Sequence, residues 1–121
     1  MIDQGVDAIC ILANYSEQFL LSDEERAILT KVSLDHVAGR VPVIVTISHF
    51  ATEIVVRRAK EAQALGASML MMMPPYHGVG LAPAEQGVFE HFAAVSDASS
   101  IPVMVQDARR CGVTPGGRPR G

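Results

Sequence analysis

The 121-residue sequence predicts an α/β fold in which about four parallel strands alternate with helices. Three observations carry this reading: four short continuous apolar runs, helical patterns between them with stop and start signals, and a spacing of about 25 to 35 residues from run to run. With 49% hydrophobic and 19% charged residues the composition is that of a packed globule, which excludes disorder over the whole length.

The apolar runs are Ala8–Leu12 (AICIL), Val41–Thr46 (VPVIVT), Ser68–Met73 (SMLMMM) and Ile101–Val105 (IPVMV). They do not alternate with polar residues, which suits strands covered on both faces, as in parallel sheets. VPVIV and IPVMV repeat one slot, with proline near the strand entry where a missing N–H is tolerated. Between the first two runs, Ser22 followed by Asp23, Glu24 and Glu25 is a capping box. Ile28, Leu29, Val32 and Val37 then predict one inward stripe, with Leu34 off it and Gly39 as the stop. A second helix is expected from about Thr52 to Leu65, with Ile54, Val55, Ala59, Ala62 and Leu65 inward and Gly66 ending it. The third opens near Pro83, has Glu85 in its first turn, buries Val88, Phe89, Phe92 and Val95, and ends before Ser99. Cys10 reads as a buried small hydrophobe, Met71–Met73 as strand core, and His36 and His91 as surface or boundary positions of helices. Two architectures share this order, a doubly wound open sheet and a (β/α) barrel.

Both architectures collect function just beyond the C-terminal ends of the strands. Those positions carry Asn14, Tyr15, Ser16 and Glu17, then Ser48 and His49, then Tyr76 and His77, then Gln106 and Asp107, whereas the opposite ends carry mostly Gly, Pro and Ala. A phenol such as Tyr76 can shuttle a proton, Glu17 can orient or accept, and the imidazoles can do either near neutral pH. Several classes fall away. No glycine-rich phosphate loop follows a strand, and neither serine sits in a nucleophile elbow. Two distant cysteines make neither a disulfide framework nor a zinc site, and no short ligand spacing supports a metal at His49, His77 and Asp107. The net charge of −3 gives no reason for a nucleic-acid partner. The longest apolar run, Ser68–Pro75, is too short to span a membrane, and with no signal layout at the N-terminus a cytoplasmic location is expected.

The charge is uneven. All thirteen acids and six of the ten bases lie in residues 1–107, while Arg109, Arg110, Arg118 and Arg120 share residues 108–121 with four glycines and two prolines. Two units are therefore expected: a partial barrel over 1–107 and a disordered basic tail over 108–121.

Taken together, the landmarks of residues 3–107 resemble the dihydrodipicolinate synthase and N-acetylneuraminate lyase family. The signature loop G-T/S-T-G-E falls on Ala13, Asn14, Tyr15, Ser16 and Glu17, with only the glutamate unchanged. G-R-x-P-V-I appears as Gly39–Ile44, and the P-Y-Y loop as Pro74, Pro75 and Tyr76. The departures ILANYSEQ, HVAGRVPVIVT, MPPYHG and PVMVQDA are similar to the family's 2-keto-3-deoxy-L-arabonate dehydratase branch. The resemblance implies a fragment of a TIM (β/α)8 barrel, roughly its second to fifth strands. It also implies a lyase of pentose catabolism that needs no cofactor. In such an enzyme a lysine forms a Schiff base with a small 2-keto sugar acid, and the iminium acidifies the adjacent carbon so that hydroxide can leave. Tyr76 falls on the loop tyrosine of the family's proton relay. A second relay tyrosine aligns with Gln106. Substrate contacts are expected from Asn14, Tyr15, Ser16, Glu17, His49, His77, Gln106 and Asp107. Intact relatives are tetramers.

A complete barrel takes about 250 residues. Matched to the family, this chain lacks the first strand and the last three, and with them the Schiff-base lysine of the sixth strand, so it is expected to be inactive alone. The composition of the tail suits a GC-rich coding sequence read in a shifted frame from near Ala108, with the start set internally at Met1. Other family lyases, dihydrodipicolinate synthase, neuraminate lyase and keto-deoxy sugar acid aldolases, stay open as alternatives. So do a non-catalytic binding fragment and a partner chain that supplies the missing strands.

Overall fold

The computed structural model describes residues 1–75 and 84–107, apart from the Tyr15 side chain. Tyr76, His77 and the tail set apart at residue 108 lie outside the described residues.

Four parallel strands, β1 (Ile9–Ile11), β2 (Val43–Thr46), β3 (Met69–Met72) and β4 (Val103–Val105), pair in the order β1-β2-β3-β4. Between them run α1 (Asp23–Val37), α2 (Thr52–Leu65) and α3 (Glu85–Ala98). A strand order without reversal, joined by right-handed crossovers, places every helix on the same side of the sheet. A doubly wound sheet would reverse; this arrangement is an arc of a barrel wall.

The register shows two unlike faces. Val43, Val45, Leu70 and Met72 turn toward the helices and, with Ile47, Val55, Ala59, Ala62 and Val95, make the buried core. On the other face, Cys10 pairs with Ile44 and Ile44 with Met69, while Thr46 pairs with Met71 and Met71 with Met104. These rows are where a closed barrel stacks its interior layers. Cys10 is exposed. The expectation of a buried thiol fails because β1 forms one edge of this sheet and Cys10 stands on the face away from the helices, its Sγ 3.7 Å from Thr46 Oγ1.

The helices follow their caps more faithfully than their predicted stripes. Ser22 caps α1 with Glu25 N–H donating to Ser22 Oγ at 3.1 Å and Ser22 N–H donating to Glu25 Oε2 at 2.8 Å. Such a cap stabilises a helix by about 1 kcal/mol. Helix α1 ends one residue earlier than expected, at Val37, with Ala38 in the left-handed region ahead of Gly39. Its inward face is Arg26, Thr30 and Val37 with Leu34 packed beside them, while Ile28, Leu29 and Val32 are exposed. The predicted stripe thus holds at Val37 and fails at Ile28, Leu29 and Val32, which lie on the solvent side of the helix. Residues 26, 30, 34 and 37 share one face at 3.6 residues per turn, but polar side chains occupy its first half and hide it from a hydrophobicity count. Helix α2 matches its expected bounds. In α3, Val88, His91 and Val95 are buried and Phe92 packs on the core, whereas Phe89, about 100° around the helix from Val88, is 68% exposed. His91 is a second correction: it is buried, and its Nδ1 lies 2.9 Å from Thr52 Oγ1, a pairing that satisfies this ring nitrogen inside the core.

A sheet with one half-covered apolar face and open edges is prone to pair with itself. We expect the purified chain to self-associate; a sharp monomer peak by light scattering together with cooperative melting would contradict this.

Candidate active site

The carboxyl ends of the four strands open on one side, and hydrogen bonds stitch their exits together. Ile47 N–H donates to the Met71 carbonyl and Gln106 N–H to the Met72 carbonyl, both at 2.9 Å. Ser48 Oγ accepts from Met73 N–H at 3.0 Å, which ties the exit of β2 to that of β3. Ser48 is a buried hydroxyl whose hydrogen bond offsets its desolvation.

At the exit of β1 the chain turns sharply. Leu12, 3% exposed, has φ 58°, and Glu17 closes a 3-10 turn over Asn14–Ser16 with φ 53°. A left-handed leucine costs on the order of 1–3 kcal/mol and persists only where packing over-determines it. Burial of Leu12 in the core supplies that packing. Strain of this kind concentrates at functional sites. Asn14 is the hub of the turn: its Oδ1 accepts from Gln18 Nε2 at 2.8 Å and its Nδ2 approaches Met73 Sδ at 3.7 Å. Gln18, 1% exposed, escaped the sequence reading; its only signal was the spacing of four from Asn14. Ser16 and Glu17 are exposed on the rim, as is Asp107, while Gln106 is half-buried.

His49 follows β2 and is half-buried. Its Nδ1 accepts the Ala51 N–H at 3.0 Å, and its ring tilts against Phe50, which in turn stacks on Phe19 at 5.7 Å. Behind this loop lie two arginines that the sequence reading did not single out. Arg26 donates from Nη2 to the Thr46 carbonyl, and Arg58 donates from Nη1 to the Ser48 carbonyl at 2.6 Å and from Nε to Asp23 Oδ1 at 2.9 Å. Burial, and then the neighbouring Arg58 charge, lower the Arg26 pKa to about 10, against the opposing pull of Asp23 and Glu61. Burial also lowers the His49 pKa, with Arg58 and Arg26 adding to the effect and Asp23 opposing it. Among the described residues no group of three or more His, Cys, Asp or Glu side chains could hold a metal ion.

Of the residues expected at this mouth, the structure places Asn14, Ser16, Glu17, His49, Gln106 and Asp107 at the strand exits, and the backbone of Tyr15 in the same turn. Polar groups gathered at the carboxyl ends of parallel strands, with all helices behind the sheet, define an arc of a (β/α)-barrel wall, and that end is where barrels of this kind carry their binding and catalytic groups.

The chain belongs to the dihydrodipicolinate synthetase family, whose sequence profile matches residues 1–114. The L-2-keto-3-deoxyarabonate dehydratase of Azospirillum brasilense is 57% identical over 112 residues, 93% of this chain and 36% of that protein. The 4-hydroxy-tetrahydrodipicolinate synthase of Dechloromonas aromatica is 32% identical over 104 residues, 86% of this chain and 35% of that protein. Among solved structures, dihydrodipicolinate synthase from Aquifex aeolicus superposes with a TM-score of 0.88 at 27% identity, over 94% of this chain and 38% of that one. YagE, a prophage protein of the same family from E. coli K12 in complex with pyruvate, gives 0.84 at 27% identity, over 91% and 36%. The chain thus spans little more than a third of the relatives it matches.

Proposed function

We propose that these residues form part of the mouth of a Schiff-base lyase acting on 2-keto sugar acids, with dehydration of 2-keto-3-deoxy-L-arabonate in pentose catabolism as its reaction. The observation that carries this reading is the step in identity, from 57% with the dehydratase to 32% with the synthase. Under this reading Asn14, Tyr15, Ser16 and Glu17 hold the carboxylate end of the substrate. His49, His77, Gln106 and Asp107 meet its hydroxyls, and Tyr76 relays the proton.

The lysine that forms the iminium must come from elsewhere. The sequence has two lysines, Lys31 in α1 and Lys60 in α2, and both are exposed on the helical layer. This chain alone is therefore proposed to be inactive, and the active assembly to be a cytoplasmic homotetramer of complete barrels. A chimera tests the substrate assignment. Residues 1–107 replace the matched segment of the Azospirillum brasilense dehydratase, and turnover of 2-keto-3-deoxy-L-arabonate is followed. We expect dehydration to be retained within about tenfold. A folded chimera that loses it and instead condenses pyruvate with an aldehyde would overturn the assignment in favour of a synthase or aldolase.

A further inference from the structure

We infer that the Ala51 amide and the Arg58 guanidinium together hold His49 as a neutral imidazole with its proton on Nε2, making it a hydrogen-bond donor at the strand mouth and Arg58 a positioning residue for it. The significance for substrate rests on the keto-acid reading above; the state of the ring does not.

The geometry gives the tautomer. A backbone N–H can only donate, so the 3.0 Å bond from Ala51 N–H to Nδ1 requires an unprotonated Nδ1, which leaves the proton of a neutral ring on Nε2. Adding a proton at Nδ1 would set two donors against each other. The position of the loop is fixed from behind by guanidinium bonds to its backbone: Arg58 binds the Ser48 carbonyl, one residue before His49, and Arg26 binds that of Thr46. Arg58 is anchored in turn by Asp23 of α1 at 2.9 Å, with its own side chain only 11% exposed. The charged groups acting on the ring are therefore Arg58 of α2 and Arg26 and Asp23 of α1. Two cations outweigh one half-exposed carboxylate, and partial burial works in the same direction.

The consequence is chemical. A histidine held neutral with Nδ1 occupied is a poor general base and a good donor to an anionic or hydroxyl oxygen. It also carries a stability sign. The unfolded chain takes up this proton near pH 6.5 and the folded chain only below that, so folding weakens as pH falls from about 6.5 through the folded midpoint.

Magic-angle-spinning ¹⁵N spectra of the full chain labelled at histidine test this whether or not the protein self-associates. The sequence has four histidines, and His49→Gln assigns the resonance by difference. The expected result is a protonated Nε2 and a bare Nδ1 at pH 7, with a titration midpoint below 6.5. Arg58→Gln should move that midpoint up, Arg58→Lys should leave it low, and Asp23→Asn should move it further down. The Asp23 variant sits on a half-exposed side chain, so it answers the question even where Arg58→Gln fails to fold. A proton on Nδ1 at pH 7, or a midpoint that Asp23→Asn leaves in place or raises, overturns the inference. 2-Keto-3-deoxy-L-arabonate, which carries the hydroxyls that pyruvate lacks, separates the two readings when it is kept saturating on the Azospirillum brasilense chimera, where the lysine is supplied. If the tautomer and the Asp23 shift stand while that substrate leaves the His49 Nε2 resonance unmoved, the lock on His49 holds and it is the keto-acid reading that fails.

Discussion

Incubated with pyruvate and borohydride, the full chain should gain no reduced adduct at any residue, whereas the chimera described above should take up one adduct per subunit. Trapping needs a lysine amine freed of its proton and facing the substrate, a state reached in an apolar enclosure or beside another cation. Neither lysine here has that setting. Lys31 Nζ pairs with Asp35 Oδ2 at 2.9 Å on a surface where both side chains are 68% exposed, and Lys60 is exposed on α2. Both belong to the helical layer, while the candidate substrate groups leave the strands at their carboxyl ends. The expected difference is all or none, read by intact mass. A stoichiometric adduct on the isolated chain would overturn the proposal that the lysine is supplied from elsewhere, and peptide mapping would then locate the real nucleophile.

The largest stability effect is expected at Leu70. It is fully buried in the middle of β3, paired to Val45 on one side and Val103 on the other, and it faces the helices. Leu70→Ala removes most of a side chain from a site that neighbouring strands prevent from collapsing, at a cost of about 2–5 kcal/mol. Whole domains have only about 5–15 kcal/mol to lose, and a sheet with one half-covered face sits at the low end. The urea midpoint should fall sharply or the cooperative transition vanish. Ile28→Ala is the informative control. The apolar stripe of the sequence puts Ile28 inward, but it is 62% exposed, so its loss should stay within about 0.5 kcal/mol. Equal losses at the two sites would restore the stripe the structure rejects.

Helix α1 shows why a hydrophobic count turned Ile28, Leu29 and Val32 inward while placing only Val37 correctly. Arg26 and Thr30 turn inward because each finds a partner there, Arg26 at the Thr46 carbonyl twenty residues away and Thr30 Oγ1 at the Arg26 carbonyl at 2.8 Å. A buried polar residue is inexpensive once paired, yet the partner is invisible from its own helix. His91 follows the same rule through Thr52, thirty-nine residues away. Cys10 fails in the opposite sense: its run is apolar enough to be buried, but whether anything covers it depends on which strands close over the inner face.

The sequence by itself determined the order of the elements, the capping box at Ser22, the bounds of α2 and the end of each strand where polar residues gather. Those features are written in local period and in residues that stop or start a helix, which act over a few positions. Only the tertiary structure decided which face of α1 meets the sheet, that Gln18 braces Asn14, and that two arginines reach from the helical layer to the carbonyls beside His49. The reason is physical: these depend on hydrogen bonds and charges between segments far apart in the chain, whose energies exist only once the sheet has brought them together.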